Sequence, residues 1–419
     1  MVSAIGSGLT AFALGVYAFQ STGTATSYAM MILFAFLPSF LLNPIGGVLA
    51  DRFDRRLLII IGDLGAATGL AFILAMMVFG TIALWQIYLG VAFSSVFVAV
   101  HTPAYKASVS DLVPPELYTK ASGLAQLSGA AQFLIAPLVA GILMSYMDIK
   151  YILVIDIFTF LFAITAVSVV RRKTSAFVEK SDKQQFLDEL REGISATIAH
   201  RGVLSLIGIT ALILFYIGLL QTLFGPMVLS FTDAKTLGFA LSACAIGMLV
   251  SSFFIGVFGQ KKNQVAMLAL CLGLMGIFFA LMGISTNIVL IVIPGFLFFC
   301  TIPFVNTSIE VLIRNNIENA VQGRVWSFVS VITYLGSILA YLSAGFLADR
   351  VFNPLLQTNG ALADSFGQLV GIGPGRGIAF MFFCSGLCVT LLSVLVFRSR
   401  KIRALEVMNV EINDCFEES

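Results

Sequence analysis

Gly46-Gly47-Val48-Leu49-Ala50-Asp51-Arg52-Phe53-Asp54-Arg55-Arg56 decides the reading of this chain. Two glycines run straight into a dense charge cluster, and the sequence on either side is apolar for about 20 residues, the length that crosses ~30 Å of hydrocarbon. Such a stretch is a tight charged connection between two membrane helices. The same alternation continues outward to both ends. Of 419 residues, 59% are hydrophobic and 11% charged, and the mean hydropathy is +0.99, too little polar surface for a water-soluble protein of this length. The pattern predicts twelve spans, at 1–20, 27–50, 57–79, 82–101, 121–147, 150–170, 202–224, 237–258, 265–285, 288–307, 325–348 and 377–397.

Orientation follows from the cations, because short cytoplasmic loops carry the Lys and Arg excess. With the N-terminus inside, 20 of the 24 Lys and Arg residues fall on the cytoplasmic side, and only Lys150, Lys235, Arg350 and Arg376 fall outside. Both termini are then cytoplasmic, which requires an even number of spans. The net charge of +2 therefore describes membrane topology and gives no sign of nucleic-acid binding. Met1-Val2-Ser3 lead almost directly into apolar sequence, so we expect either a start further upstream or a first span held by its neighbours. The first run has no basic lead-in and no good cleavage site, unlike a signal peptide. Five of the six cysteines, Cys244, Cys271, Cys300, Cys384 and Cys388, lie in predicted spans and Cys415 in the tail; they read as buried apolar thiols.

Residues 171–201 form the one long charged interruption, dividing the chain into bundles of six spans at 1–170 and 202–397, with a cytoplasmic tail at 398–419. Within the interruption Phe186, Leu190, Ile194 and Ile198 recur every fourth residue among charges, as in a helix lying on the membrane surface and tethering the halves. The halves look like repeats: Leu138-Val139-Ala140-Gly141-Ile142-Leu143 returns as Leu342-Ser343-Ala344-Gly345-Phe346-Leu347. The second copy of the charged connection, Gly256-Val257-Phe258-Gly259-Gln260-Lys261-Lys262, puts Gln260 where the first has Asp51.

Two acidic residues enter the membrane. Asp63 lies seven residues past Arg56 and Asp156 six past Lys150, each about 10 Å from its membrane edge at ~1.5 Å per residue. An embedded carboxylate must be paired, hydrated or protonated. Asp63 shares a helix face with Arg56, so the arginines of the charged connection are its expected partners, and both carboxylates are candidates to carry a coupling ion. His101 and His200 lie at cytoplasmic edges, and no metal-ligand spacing or nucleophile–base pair appears, which argues against an enzyme and predicts no metal.

The charged connection fits Gly-x-x-x-Asp-Arg/Lys-x-Gly-Arg/Lys-Arg/Lys at Gly47, Asp51, Arg52, Arg55 and Arg56, with Asp54 in place of the second glycine. In this it resembles the major facilitator superfamily. His101-Thr102-Pro103-Ala104, Leu112-Val113-Pro114, Lys120-Ala121-Ser122-Gly123 and Gly323-Arg324-Val325 resemble its macrolide-efflux and siderophore-export branch. The resemblance implies an all-α membrane protein of two pseudo-symmetric six-helix bundles that works by alternating access in a bacterial plasma membrane. It implies export of a small amphiphile such as a drug or macrolide against proton entry, without a cofactor and as a monomer; the alternatives are a siderophore or metabolite exporter and, from another class, a membrane sensor.

It also implies that Gly46, Gly47, Asp51, Arg52, Arg55 and Arg56 form a latch. The glycines would admit a neighbouring helix, and Asp51 would meet the N-terminus of span 11 near Gly323 and Arg324. Gly123, Pro137 and Gly141 match the antiporter motif of span 5, while Gln132, Ala136 and Ala140 depart from it. The arginine of span 4 that many relatives use in coupling is replaced by Ser94. If spans 1, 4, 7 and 10 line the cavity, Thr10, Ser94, Ser95, Tyr216, Gln221, Phe298 and Asn306 are its candidate residues, an aromatic wall with scattered hydrogen-bonding groups that suits a lipophilic ligand.

The cation asymmetry predicts that a cysteine replacing Ser365, in an otherwise cysteine-free protein, reacts with an impermeant thiol reagent in intact cells. Ser181→Cys should react only after permeabilisation; labelling of Ser181→Cys in intact cells would overturn the topology.

Overall fold

The computed structural model describes residues 2–80, 82–112, 117–171, 201–260, 263–317 and 322–406. Twelve long helices account for nearly all of them: α1 (Val2–Thr22), α2 (Ala25–Arg52), α3 (Arg55–Phe79), α4 (Leu84–Leu112), α5 (Tyr118–Tyr146), α6 (Ile149–Arg171), α7 (Arg201–Leu229), α8 (Ala234–Phe258), α9 (Gln264–Met282), α10 (Ile288–Asn316), α11 (Gln322–Leu347) and α12 (Arg376–Arg398). Each contains a stretch apolar and long enough to cross a membrane, and a helix satisfies its own backbone where no water can. Several run past the predicted spans. α4 continues through Pro103 to Leu112, and α10 ends in an exposed turn where Arg314 pairs with Glu310 one turn earlier. The surface helix expected around 186–198 and the tail from 407 lie outside the described residues.

The chain forms two compact units, residues 1–182 with 232–242, and residues 183–231 with 243–419. In the first, α4 packs on α2 and α3, and α1 and α3 pack on α6, with α5 against α1. In the second the pattern returns six helices later: α10 on α9, α11 on α7 and α12 on α9. The helix starts repeat too. Asp54 caps α3 by accepting from the Arg56 N–H at 3.0 Å, and Asn263 caps α9 by accepting from the Ala266 N–H at 2.9 Å. The charged connection is thus almost entirely helical; only Phe53 and Asp54 separate α2 from α3.

Glycines set the spacing in the first unit. A Cβ on Gly46 would lie 2.0 Å from the Ala99 carbonyl oxygen, one on Gly65 2.1 Å from the Phe97 ring, and one on Gly69 2.6 Å from the Gly90 carbonyl oxygen. In the second unit a Cβ on Gly336 would lie 2.1 Å from the Ala211 carbonyl oxygen, and Phe279 packs edge-on to Phe298 and tilted against Phe382, its ring centre 5.5 and 4.9 Å from theirs. At the far end of this unit residues 353–375 fold back on themselves, and Arg376, 3% exposed, donates to the Val370 carbonyl at 2.9 Å.

Gly46 and Gly47 differ sharply in surroundings, since nothing lies within 4 Å of a Cβ on Gly47. Gly46→Ala should therefore cost about 1–3 kcal/mol by forcing α2 off α4, and Gly47→Ala should stay within ~0.5 kcal/mol of the parent. Unfolding of the two purified variants in detergent checks this; equal stability would mean that the close contact is not what Gly46 provides.

Candidate functional site

The charged turn is tied to the helix beside it. Arg55 donates through Nε to the Ala50 carbonyl at 3.3 Å and through a terminal nitrogen to the Ala107 carbonyl of α4 at 3.2 Å. Arg56 is 5% exposed, at the start of an apolar cluster of Ala50, Leu58, Ile59 and Ala104. Asp54, read from the sequence as a departure from a glycine position, is the α3 cap. The second unit keeps a neutral version of the tie: Gln260 donates to Ser308 Oγ at 2.6 Å and to the Phe304 carbonyl of α10 at 3.3 Å. Of the latch glycines, Gly46 receives α4, and nothing lies within 4 Å of a Cβ on Gly47. Asp51 and Arg52 are exposed; the side-chain surroundings of Gly323 and Arg324 lie outside the described residues.

Asp63 does not take an arginine of the charged turn as its described ion-pair partner. Its Oδ1 lies 3.5 Å from Nε2 of His101 on α4. Gly62 makes this approach feasible, because a Cβ there would sit 2.7 Å from the His101 Cβ. The Asp63 side chain is 6% exposed and that of His101 30%, so the imidazole links a buried carboxylate to its surroundings. Tyr105, one turn on, stacks on the imidazole with ring centres 5.9 Å apart. Sequence reasoning set His101 aside as an edge residue because it took the span to end there; α4 runs a further eleven residues, which places His101 within it.

Asp156 is 1% exposed and sits between α6 and α1. Thr159 Oγ1 donates to its Oδ1 at 3.1 Å and to its backbone carbonyl at 2.8 Å. Gly6 of α1 is so close that a Cβ would lie 2.5 Å from Oδ1. Thr10, expected in a cavity, instead faces this carboxylate, with its hydroxyl buried and outside regular hydrogen-bond geometry.

Of the other cavity candidates, three serve packing. Ser94 donates to the Ala66 carbonyl of α3 at 2.9 Å. Ser95 donates to the Ala35 carbonyl at 2.7 Å and accepts from the Ser39 N–H at 3.0 Å, occupying one i→i−4 step of α2 next to Pro38, where the proline has already removed a backbone donor. Phe298, 1% exposed, belongs to the aromatic core of the second unit. Tyr216 is partly buried against Phe215, Gln221 accepts from the Tyr341 hydroxyl at 2.8 Å, and Asn306 is exposed. The sequence signalled the polar groups but not which way each helix turns them.

The span-5 motif is a packing surface. The opening of α8, residues 234–242, belongs to the first unit. A Cβ on Gly141 would lie 2.6 Å from the Ala234 carbonyl oxygen and one on Gly238 2.3 Å from that of Pro137, and Ser242 donates to the Leu134 carbonyl at 2.5 Å. Asp233 heads α8, and hydrogen bonds from the Thr236 side chain and from its backbone N–H, the latter at 2.8 Å, hold its carboxyl below the usual range. The packing environment of Gly123 lies outside the described residues. Among the described residues, no group of three or more His, Cys, Asp or Glu side chains is placed to hold a metal ion.

A family model described as Major Facilitator Superfamily matches residues 1–341. The chain belongs to that superfamily. It is a multi-pass membrane transporter, and its helices, paired six by six, are the superfamily's architecture. Macrolide efflux protein A of Streptococcus pyogenes is 25% identical over 354 residues, covering 84% of this chain and 87% of that protein. Macrolide efflux protein A of Enterococcus faecalis is 25% identical over 317 residues, covering 75% and 98%. Among solved structures, a bacterial homologue of the human lysosomal transporter Spinster, in an inward-facing and unoccupied conformation, superposes with a TM-score of 0.70 at 12% identity over 96% of both chains.

Because Ser95 completes α2, Ser95→Ala should lower stability by about 1–3 kcal/mol through unpaired backbone groups while leaving the range of compounds handled unchanged. A shift in that range at unchanged stability would return Ser95 to a cavity wall.

Proposed function

We propose that this transporter exports amphiphilic, macrolide-like compounds from a bacterial cell, driven by proton entry and working by alternating access, with both termini cytoplasmic. The named relatives support the substrate class. The Asp63–His101 pair carries the coupling. With one proton the pair is net neutral; with none it holds an uncompensated charge against apolar helices, and with two the opposite charge, both costly. One proton is therefore the natural load of the pair, which titrates as a unit. Tyr105 of α4 stacks on the imidazole, and Arg55 and Arg56 lie two turns before Asp63 on α3. Each proton moving inward contributes about 2.3 kcal/mol per 100 mV, enough for a tens-fold gradient of a neutral compound.

In proteoliposomes, an imposed proton gradient should drive uptake or release of a radiolabelled macrolide, and the macrolide should elicit proton movement. Asp63→Asn should reduce the macrolide-dependent proton flux by on the order of tenfold or more, and His101→Gln should shift its pH profile. Macrolide movement that ignores the gradient in the unaltered protein would defeat the coupling; unaltered flux in both variants would move the proton elsewhere.

A further inference from the structure

We propose that Asp156, Thr159 and Thr10 form a binding site for one sodium ion between α1 and α6. The carboxylate is 1% exposed and Thr10 5%. Thr159 Oγ1 is within 3.1 Å of Asp156 Oδ1, and the buried Thr10 hydroxyl lies close enough to the same carboxylate to interact with it from across the helix pair, in a geometry outside that of a regular hydrogen bond. A carboxylate and two hydroxyls from two helices are thus brought to one buried place. No basic side chain among the described residues pairs with Asp156.

Two unfavourable features coincide here. A buried carboxylate with no cation against it is costly, and so is a buried hydroxyl held outside regular hydrogen-bond geometry. One cation relieves both. The donor set is all oxygen, which suits a hard ion and offers nothing to metals that favour imidazole or thiolate. A single carboxylate balances a single positive charge, so the ion is monovalent. Gly6 limits the size: without a side chain, α1 closes to within contact of Oδ1 and of Thr159 Oγ1, where a Cβ would lie 2.5 and 2.4 Å away, a closeness that favours a small ion over potassium. A proton would bridge one carboxyl oxygen to one acceptor, whereas sodium draws on the carboxylate and both hydroxyls together. Bound there, it neutralises Asp156 and clamps α1 to α6.

The site is independent of the efflux reading, and its test needs no transport. The purified protein in lipid nanodiscs is unfolded by heat in sodium, potassium or choline chloride at equal ionic strength and pH. Sodium alone should raise the midpoint, in a saturable manner, because an ion that binds only the folded protein stabilises it. Asp156→Asn should abolish the sodium response, and Thr10→Val should weaken its half-saturation by on the order of tenfold, the scale on which loss of a supporting group acts at a metal site. Asp63→Asn should leave the response intact. Equal midpoints in the three salts, or a sodium response that survives Asp156→Asn, would overturn the site. So would stabilisation by acid in choline chloride with no effect of sodium, since Asp156 would then hold a proton.

Discussion

The approach of α4 to α2 and α3 through Gly46, Gly62, Gly65 and Gly69 is the contact on which the rest of the first unit depends. Hydrocarbon tails are as apolar as leucine, so helices in a bilayer gain little from hiding apolar surface on one another and must win by contact distance and hydrogen bonds. Glycine permits both. Where α4 presses on Gly46 its own carbonyl at Ala99 takes up the space of the missing side chain, and where it presses on Gly69 the Ser94 hydroxyl reaches the Ala66 carbonyl of α3. Small residues therefore do the work that a hydrophobic core does in water.

The polar chemistry of the unit is a consequence of this spacing. Ser95 can stand in for a missing step of α2 only because α4 lies close to Pro38, and Nε2 of His101 comes within 3.5 Å of Asp63 only because Gly62 lets the two helices touch. A bulkier residue at position 62 would separate the imidazole from the carboxylate. Asp63 would then be left buried without a described ion-pair partner, a far larger penalty than the lost contact itself. Packing and electrostatics at this point are one constraint.

The fold was legible because lipid imposes a length and a charge rule on the sequence: the twelve apolar runs and the cluster from Asp51 to Arg56 gave the helices and the family. The rotation of each helix was not. A helix apolar all round carries no stripe to show which side meets its neighbours, so Ser94 and Ser95, adjacent in sequence, read as two cavity groups and are in fact turned to α3 and α2. Phe298 failed for the same reason, being one phenylalanine among 38. Asp54 did carry a readable signal, an acidic residue directly before a helix start, obscured by comparison with a glycine pattern. His101 was misplaced by an error of boundary, since hydropathy falls at the membrane edge while α4 runs on.

Depth in the membrane does not separate the two embedded carboxylates; both lie a few turns from an edge. Their partners separate them. An imidazole can take up or release a proton without moving, and His101 is partly exposed, so the charge at Asp63 can change while α3 and α4 stay packed. The partners described for Asp156 are hydroxyls beside the bare backbone of Gly6, groups that neither give up nor accept charge near neutral pH, and it has almost no contact with solvent. A cycle driven by ion exchange needs the first kind of environment at its switching point. The second kind offers no such exchange, and what it provides is a close seam of α1 on α6, with Gly6 packed on Asp156 and Thr159.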